Sequence, residues 1–245
     1  MNKLKLLTLI FLWQSWLCLA LPLSELPHKD HVHYIGIFVG TFDPLHLGHE
    51  QTIQAVLDSG YVDAVVILPQ NFQVLGMQPY KPKALPIEHR LDMLFYRWQT
   101  AENVFVPTGM KEIGENMMGG VSAWLRANMP RSVVLMGIHG TDNYTSLTKR
   151  LVERLTLGTD ATLLVDKQQI PKTLDLPDQF LGRPIHILEI PLRRDIRSTE
   201  LRQILSEPNV TREDISELMD LRLFELIQAR GYYRARDCNS VLAPN

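Results

Sequence analysis

Cysteine is nearly absent from this sequence. Its 245 residues include two, Cys18 and Cys238. Cys18 lies in an apolar N-terminal stretch that has the order of a secretion signal. If that stretch is removed, Cys238 is the single remaining thiol and no internal disulfide can form. The fold therefore has to rest on a hydrophobic core.

An excess of charge of either sign is also missing. The chain has 25 Lys and Arg residues against 27 Asp and Glu, a formal net charge of −2, so it shows no basic surplus of the kind that binds nucleic acid. The sequence contains no Gly-x-x-x-x-Gly-Lys-Ser/Thr run, which excludes a P-loop kinase. With 45% hydrophobic residues, the chain is long enough to bury one sizeable core.

The N-terminus has the features of a secretion signal. Lys3 and Lys5 precede an apolar run that ends in Cys18-Leu19-Ala20, a small-x-small cleavage site. We expect export to the periplasm or the medium, with an uncleaved membrane tether, a cytoplasmic location or a misassigned start as alternatives. The expected division is a signal peptide at 1–20, a linker at 21–33, one domain at 34–233 and a flexible tail at 234–245.

The most informative stretch runs from Gly40 to His49 and reads Gly-Thr-Phe-Asp-Pro-Leu-His-Leu-Gly-His. It follows an apolar, β-branched run and precedes a segment of helical periodicity, so it forms the turn from a first strand into a first helix. Backbone N–H groups and the positive helix end point towards a ligand at such a turn. Pro44 is expected to open the helix. His46 and His49, three residues apart, project from one face and suit phosphate oxygens.

Further apolar runs alternate with segments of helical spacing. This pattern predicts an α/β protein with a single doubly wound, mostly parallel sheet and a small C-terminal helical part. In the helix that Pro86 opens, Arg90 is expected to form a surface salt bridge, with support of the site as the alternative. Trp124 is expected to pack under the sheet, with stacking on an aromatic base as the alternative. The connection 167–183 shows no evident chemistry. The expected later strands are 63–69, 103–107, 132–137, 161–165 and 184–188, and the last helix is 221–228.

A second anion-binding pattern lies near the end of the domain, in the run from Arg193 to Arg202. Ser198 or Thr199 is expected to cap a helix that continues through Leu205. The N-terminus of this helix would present backbone N–H groups, two hydroxyls and a basic side chain to an anion.

Both patterns resemble motifs of one family. The stretch from Gly40 to His49 resembles the signature of the HxGH nucleotidyltransferase superfamily. The run that ends at Arg202 resembles the superfamily's Ile-Ser-Ser-Thr-x-x-Arg motif, with Arg197 in place of the first serine. Within the superfamily, the chain is most similar to bacterial nicotinate-nucleotide adenylyltransferases. The resemblance covers about 34–233 and implies a Rossmann-like nucleotidyltransferase domain.

The resemblance implies transfer of an adenylyl group from ATP to a phosphate-bearing acceptor, such as nicotinate mononucleotide, with release of pyrophosphate. Mg²⁺ is the implied cofactor, bridging phosphate oxygens without a protein metal site of its own. The implied catalytic residues are His46, His49 and Arg202. The implied nucleotide-binding residues are Gly40, whose lack of a side chain would let the backbone approach a ligand, and Thr41, Phe42, Lys81, Gly140, Asp142, Ser198 and Thr199.

One segment departs from the nearest relatives. Those enzymes carry Ser-Tyr-Thr-x-x-Thr-Leu where the nicotinate ring is held, whereas the comparable place here, 115–125, reads Glu-Asn-Met-Met-Gly-Gly-Val-Ser-Ala-Trp-Leu. The acceptor therefore stays open, and cytidylyl transfer from CTP is the alternative reaction. The signal keeps a third alternative open, an exported nucleotide-binding protein without catalytic activity.

Overall fold

The structure of the chain is a computed structural model. Lys81 and Asp142 lie outside the residues that it describes, as do the predicted signal peptide and residues 235–245. The described ranges are 33–70, 84–107, 117–128, 133–140, 158–167, 179–180, 182–191 and 196–234.

Strands and helices alternate along the chain, as the sequence predicts. The strands are β1 (His33–Gly40), β2 (Ala64–Pro69), β3 (Val104–Phe105), β4 (Val133–Gly140), β5 (Ala161–Asp166), β6 (Gln179–Phe180) and β7 (Arg183–Glu189). The helices within the described ranges are α1 (Leu47–Asp58), α2 (Ile87–Trp98), α3 (Met117–Asn128), α4 (Ser198–Leu205), α5 (Arg212–Ile215) and α6 (Leu221–Arg230). None of these helices is long and apolar enough to cross a membrane.

The strands form one sheet in the order β3-β2-β1-β4-β5-β7-β6. The pairs from β3 through β7 are parallel, and the short β6 is antiparallel to β7 at the edge. The chain builds outwards from β1 to β3 and then starts β4 on the other side of β1. The strand order therefore reverses between β1 and β4, and open α/β sheets bind ligands outside the carboxyl ends at such a point. The predicted doubly wound, mostly parallel sheet is confirmed.

Apolar strands at the centre of the sheet form the core. The run 65–68 in β2 has no exposed surface, and the helices α1, α2 and α4 each bury an apolar stripe, with Ile53, Met93 and Leu201 at most 1% exposed. Burying one large aliphatic side chain stabilises the fold by about 1.5–3 kcal/mol. The core thus fixes the sheet whose carboxyl edge carries the candidate site.

The C-terminal helix α6 brings the end of the domain back to that site. Its N-cap residue Asp220 accepts hydrogen bonds from the backbone N–H groups of Arg222 and Leu223, a favourable start for a helix. It packs against α2 and ends at Gly231, whose φ of 72° is left-handed. The chain then continues inwards to Tyr233, which is 5% exposed.

Several boundaries differ from the predictions. α1 begins at Leu47 with His46 as its N-cap residue, so the prediction that Pro44 opens the helix is wrong. Pro44 lies in the turn that precedes the helix, two residues after Phe42, which has a positive φ. β4 continues through Gly140, three residues beyond the predicted end. Trp124 is partly buried against the core, which agrees with its predicted packing.

Candidate active site

A buried aromatic ring shapes the turn between β1 and α1. Phe42 has a left-handed φ of 48° and no exposed surface. Its ring lies so close to Gly40 that a Cβ added there would come within 2.8 Å of the ring. This packing requires glycine at position 40 whatever the ligand. Because the Phe42 side chain is enclosed, only its backbone can contact a nucleotide.

His46 and His49 stand at the start of α1 with stacked rings, whose centroids are 3.6 Å apart. His46 packs over Gly48, where an added Cβ would lie 3.1 Å from Nδ1 of the ring. His49 is half-buried, and the ring of Phe42 meets it edge-on at 5.0 Å. The backbone N–H of His46 donates to Nδ1 of His49 at 3.4 Å. With Nδ1 accepting, the proton of the His49 imidazole lies on Nε2, which becomes its donor.

Burial keeps the imidazole of His46 neutral. Its side chain is 5% exposed, and loss of solvation, helped by the positive charge of Lys167, lowers its pKa to about 3. Its Nδ1 has no hydrogen-bond partner within the described residues. At neutral pH this ring can therefore act as an uncharged donor, but not as a cation.

The sequence did not reveal that Lys167 lies near the site. This lysine directly follows β5, at the carboxyl edge of the sheet, and it is half-buried. Its charge acts on His46, so it lies near the histidine pair. The only available signal was a lysine at the first position after a buried strand.

The N-terminus of α4 lies against the β1–α1 turn. Oγ of Ser198 donates to the carbonyl oxygen of Pro44 at 3.4 Å, and Nη1 of Arg202 donates to the carbonyl oxygen of Asp43 at 2.5 Å. These partners are 154 and 159 residues apart in the chain. Two helix N-termini thus converge at one place, an arrangement that suits a polyanion.

The hydroxyls at the start of α4 do not cap the helix. The N-cap residue is Arg197, and its side chain makes no capping hydrogen bond, so the prediction that Ser198 or Thr199 caps the helix is wrong. Both lie inside the first turn, since Ser198 bonds to Pro44 across the site and Oγ1 of Thr199 accepts from Arg202 at 3.2 Å. A first turn without a side-chain cap has N–H groups that an anion can satisfy.

Arg90 supports the turn through three backbone carbonyls. Its guanidinium donates to the carbonyl oxygens of Thr41 at 2.8 Å, Gln70 at 2.7 Å and Leu85 at 2.9 Å. The residue is 3% exposed, so the prediction of a surface salt bridge is wrong. Gln70 and Leu85 flank the segment 71–83, which contains Lys81. Arg90 thus connects both flanks of that segment to the motif. The planar guanidinium can do this because it carries several N–H donors that point in different directions.

Asp43 is enclosed beneath the same turn, with no exposed surface. Its Oδ1 accepts from the Tyr233 hydroxyl at 2.7 Å and from the Leu85 N–H at 3.2 Å, and its Oδ2 accepts from Arg202 at 3.3 Å. Burial raises the pKa of Asp43, while these bonds and the positive charges of Arg202 and Arg90 lower it. The net effect is a raised pKa, and the contact of Oδ2 with Nη1 of Arg202 makes Asp43 the internal counter-ion of that arginine.

Comparisons with known proteins identify the family of the chain. A family model described as Cytidylyltransferase-like matches residues 37–204, a range that includes both converging turns. The chain belongs to this family. Two relatives carry the name "Probable nicotinate-nucleotide adenylyltransferase". One, from a Roseiflexus species, is 31% identical over 206 residues, covering 82% of this chain and 98% of that protein. The other, from Clostridium tetani, is 25% identical over 214 residues, covering 81% and 98%.

Solved structures share the fold of this cytidylyltransferase-like chain. The nicotinic acid mononucleotide adenylyltransferase of Plasmodium falciparum complexed with NaAD gives a TM-score of 0.59 at 15% identity, covering 85% of this chain and 99% of that one. The same enzyme complexed with APC gives 0.56 at 16% identity, with the same coverage. At such low identity the likeness shows the fold alone. The predicted Rossmann-like nucleotidyltransferase fold is confirmed, and the predicted enzyme class agrees with the names of the two relatives.

The structure brings together most of the residues that the family resemblance implied. Gly140 is the last residue of β4, the strand that pairs with β1 at the switch point. Lys81 and Asp142 lie outside the described residues, so their roles stay predictions. The residues gathered at the two turns are Gly40, Thr41, Phe42, His46, His49, Ser198, Thr199 and Arg202.

Proposed function

We propose that this chain transfers an adenylyl group from ATP to a small acceptor that carries a phosphate, with nicotinate mononucleotide as the first candidate. The observation that supports this most is the meeting of the His46–His49 pair with the N-terminus of α4 at one turn. The names of the relatives favour adenylyl over cytidylyl transfer.

The reaction requires no covalent enzyme intermediate. An oxygen of the acceptor phosphate attacks the α-phosphorus of ATP and forms a new P–O bond. The bond from that phosphorus to the oxygen bridging to the β-phosphate breaks, and pyrophosphate leaves with the bonding electrons. Alignment of the reactants and stabilisation of the negative charge that spreads in the transition state supply the catalysis.

The β1–α1 turn would bind the reacting phosphate. In this proposal His46 and Nε2 of His49 donate to α- and β-phosphate oxygens, while Thr41 and the backbone of 40–42 line the phosphates. A neutral donor in a packed environment does not need to reorganise when charge develops. The stacked rings and the enclosed Phe42 hold the donors in this orientation.

The start of α4 would bind the outer phosphates. Ser198, Thr199 and Arg202 would hold the β- and γ-phosphates from the side opposite the histidines. Arg202 is the charged member of the three, and Lys167 adds positive charge near His46. Charge-assisted hydrogen bonds to phosphate are about twice as strong as neutral ones.

The remaining predicted residues complete the nucleotide site in this proposal. Lys81 would reach the triphosphate. Gly140 would let the backbone come close to the nucleotide, and Asp142 would accept hydrogen bonds from the ribose hydroxyls. Gly140 lies at the switch point of the sheet, which supports its part.

Mg²⁺ enters the proposal as part of the Mg–ATP substrate. In the parts of the chain that the structure describes, no three His, Cys, Asp or Glu side chains are grouped so that they could hold a metal ion. Mg²⁺ prefers oxygen ligands such as carboxylates. The carboxylate oxygens of Asp43, however, already accept hydrogen bonds from Tyr233, Leu85 and Arg202. These residues do not fit a resident magnesium site, so we propose that phosphate oxygens hold the ion.

Measuring pyrophosphate release tests the function. The purified chain is incubated with Mg²⁺, with ATP or CTP, and with nicotinate mononucleotide or other small phosphomonoesters. We expect release with ATP and one acceptor, and a product whose mass equals the acceptor joined to AMP less one water. Release with CTP alone would overturn the adenylyl assignment. Binding of ATP in calorimetry without any release would favour the non-catalytic alternative.

We also propose that the chain is exported, because Lys3, Lys5 and the apolar run to Ala20 have the order of a secretion signal. Cell fractionation with N-terminal sequencing of the mature protein tests this. A mature protein that begins at Leu21 outside the cytoplasm would support export. A cytoplasmic protein that still begins at Met1 would contradict it.

A further inference from the structure

The end of the domain reaches the underside of the candidate active site. After α6 stops at Gly231, the chain turns inwards through Tyr232 to Tyr233, whose φ is 66°. The hydroxyl of Tyr233 donates to Oδ1 of Asp43 at 2.7 Å, although 190 residues separate the two in the sequence. Asp43 in turn bonds to Arg202 through both its backbone carbonyl and Oδ2.

We propose that Tyr233 is a positioning residue for nucleotide binding, which holds Asp43 as the counter-ion that keeps the guanidinium of Arg202 at the phosphate site. The inference rests on the proposed function, because it needs Arg202 to bind phosphate. Tyr233 itself touches no substrate in this scheme and acts through Asp43.

Asp43 needs donors because it has no exposed surface. Water cannot solvate its charge, and a buried carboxylate stays ionised only where hydrogen bonds and positive charges surround it. The Tyr233 bond at 2.7 Å is shorter than the bonds from Leu85 and Arg202 to the same carboxylate, at 3.2 and 3.3 Å. Loss of the Tyr233 hydroxyl therefore removes the best-formed of these contacts.

Asp43 and Thr199 position the guanidinium of Arg202. Its side chain is 17% exposed, and Nη1 bonds to Asp43 while Nη2 bonds to Thr199. If Asp43 takes up a proton, the ion pair is lost and the position of the guanidinium is less well defined. ATP would then bind more weakly, because the arginine has to be ordered when the nucleotide arrives.

This arrangement predicts how ATP affinity depends on pH. Within the described residues, the charged or titratable groups that face Asp43 are Arg202 on α4, Arg90 on α2 and Tyr233 after α6. Burial raises the pKa of Asp43, and the hydrogen bond from Tyr233 opposes that effect. Without the hydroxyl the pKa rises further, so Asp43 becomes neutral at a higher pH. The loss of ATP affinity on acidification should then begin at a higher pH than in the wild type.

The substitution Tyr233→Phe tests this, because it removes the hydroxyl and keeps the ring. Tyr232→Phe is the matched control, since that hydroxyl donates at 3.2 Å to Asp92 on α2, away from the turn. For each variant, KM for ATP, kcat, ATP affinity by calorimetry and Tm are measured from pH 8 to pH 5. We expect KM for ATP to rise about tenfold at low pH in Tyr233→Phe, the size of one lost hydrogen bond to a charged group. The rise should be smaller at pH 8 and absent from the control.

Asp43→Asn tests the route through Asp43. Its amide cannot ionise, so KM for ATP should be high and should not vary with the Asp43 titration. Adding Tyr233→Phe to Asp43→Asn should leave KM unchanged, because Tyr233 acts on Arg202 only through the charge of Asp43, which Asp43→Asn has already removed. If Asp43→Asn does not fold, the pH profile of Tyr233→Phe decides alone.

Two results would overturn the inference. One is a Tyr233→Phe protein with a lower Tm but the KM and pH profile of the wild type, which would make the role purely structural. The other is an equal shift in the Tyr232→Phe control. In both cases the wild type is active, so the proposed function stands. A wild type that neither binds ATP nor releases pyrophosphate would contradict the function and the inference together.

Discussion

The two turns that meet at the candidate site are built differently. The β1–α1 turn is enclosed: Phe42 and the uncharged His46 are buried, and Arg90 ties its backbone to two other segments. The start of α4 is more exposed and carries charge. Arg197 and Thr199 face solvent, while Ser198 and Arg202 bond to the first turn.

This difference implies that the first turn aligns the reacting phosphate, whereas the start of α4 contributes affinity for the triphosphate. Donors that cannot move define where the reacting phosphorus sits, and they act mainly on kcat. Charged side chains at the rim attract and retain the triphosphate, and they act mainly on KM. Substitutions in the two turns should therefore change different kinetic constants.

The largest expected effect comes from His49→Ala. Loss of a preorganised donor costs about 3–4 kcal/mol of transition-state stabilisation, on the order of 100- to 1000-fold in kcat. The fold should survive, because the ring is only half-buried. Steady-state kinetics measure the loss of kcat, and Tm shows whether the fold survives. His186→Ala is the control, since His186 lies on β7, away from the turns, and its ring contacts the ring of Tyr61. A His49→Ala enzyme as active as this control would refute the assignment.

Arg90→Lys should have the next largest effect, and it should act first on the free energy of unfolding. Lysine keeps the charge but cannot donate to all three carbonyls of Thr41, Gln70 and Leu85. Buried acceptors left unpaired cost about 1–3 kcal/mol each. We expect the free energy of unfolding to fall by about 2–3 kcal/mol in urea titrations, with a lower kcat. Arg126→Lys, a change at an exposed ion pair with Asp160, should leave both nearly unchanged. Equal effects in the two variants would remove the special role of Arg90.

Arg202→Gln should raise KM for ATP rather than lower kcat. Losing one charge-assisted contact to phosphate costs about 1.5–3 kcal/mol, roughly 10- to 100-fold in affinity. We expect KM for ATP to rise by this factor with a much smaller change in kcat. Arg212→Gln, at an exposed pair with Glu225, is the control. A fall in kcat at constant KM would break the division between alignment and affinity.

The buried histidines predict how stability depends on pH. The pKa of His46 is lowered to about 3 and that of His139 to about 4, both by burial, against about 6.5 in the unfolded chain. The unfolded state therefore binds more protons below pH 6.5. The free energy of unfolding is fully retained above that pH and falls by up to about 1.4 kcal/mol per pH unit for each histidine as the pH drops. Urea unfolding at pH 7, 6 and 5 measures the slope, and His139→Gln should reduce it. A flat profile would contradict this account of burial.

Local patterns made the first turn predictable. His46 and His49 are three residues apart at a strand-to-helix turn, where they become the N-cap and N3 residues of α1, and side chains at these two positions meet at the start of a helix. The alternation of strands and helices likewise depends on short-range periodicity, which a sequence displays directly.

Contacts between distant segments were not predictable in the same way. Tyr233 lies 190 residues from Asp43, and no spacing rule links them. The helix containing Arg90 has an apolar stripe, and arginine in such a helix is usually solvated. Only the packed structure shows that three carbonyls surround it. The start of α4 was misread for a related reason, because Ser198 bonds to Pro44 on the other turn, and that contact depends on the tertiary fold.

A crystal structure of the chain with a non-hydrolysable ATP analogue tests the central claim most directly. We predict that the α-phosphate lies within about 3 Å of an imidazole nitrogen of His49, with the outer phosphates at the N-terminus of α4 beside Ser198 and Arg202. An analogue whose phosphates contact only one of the two turns, or lie in another crevice, would contradict the account.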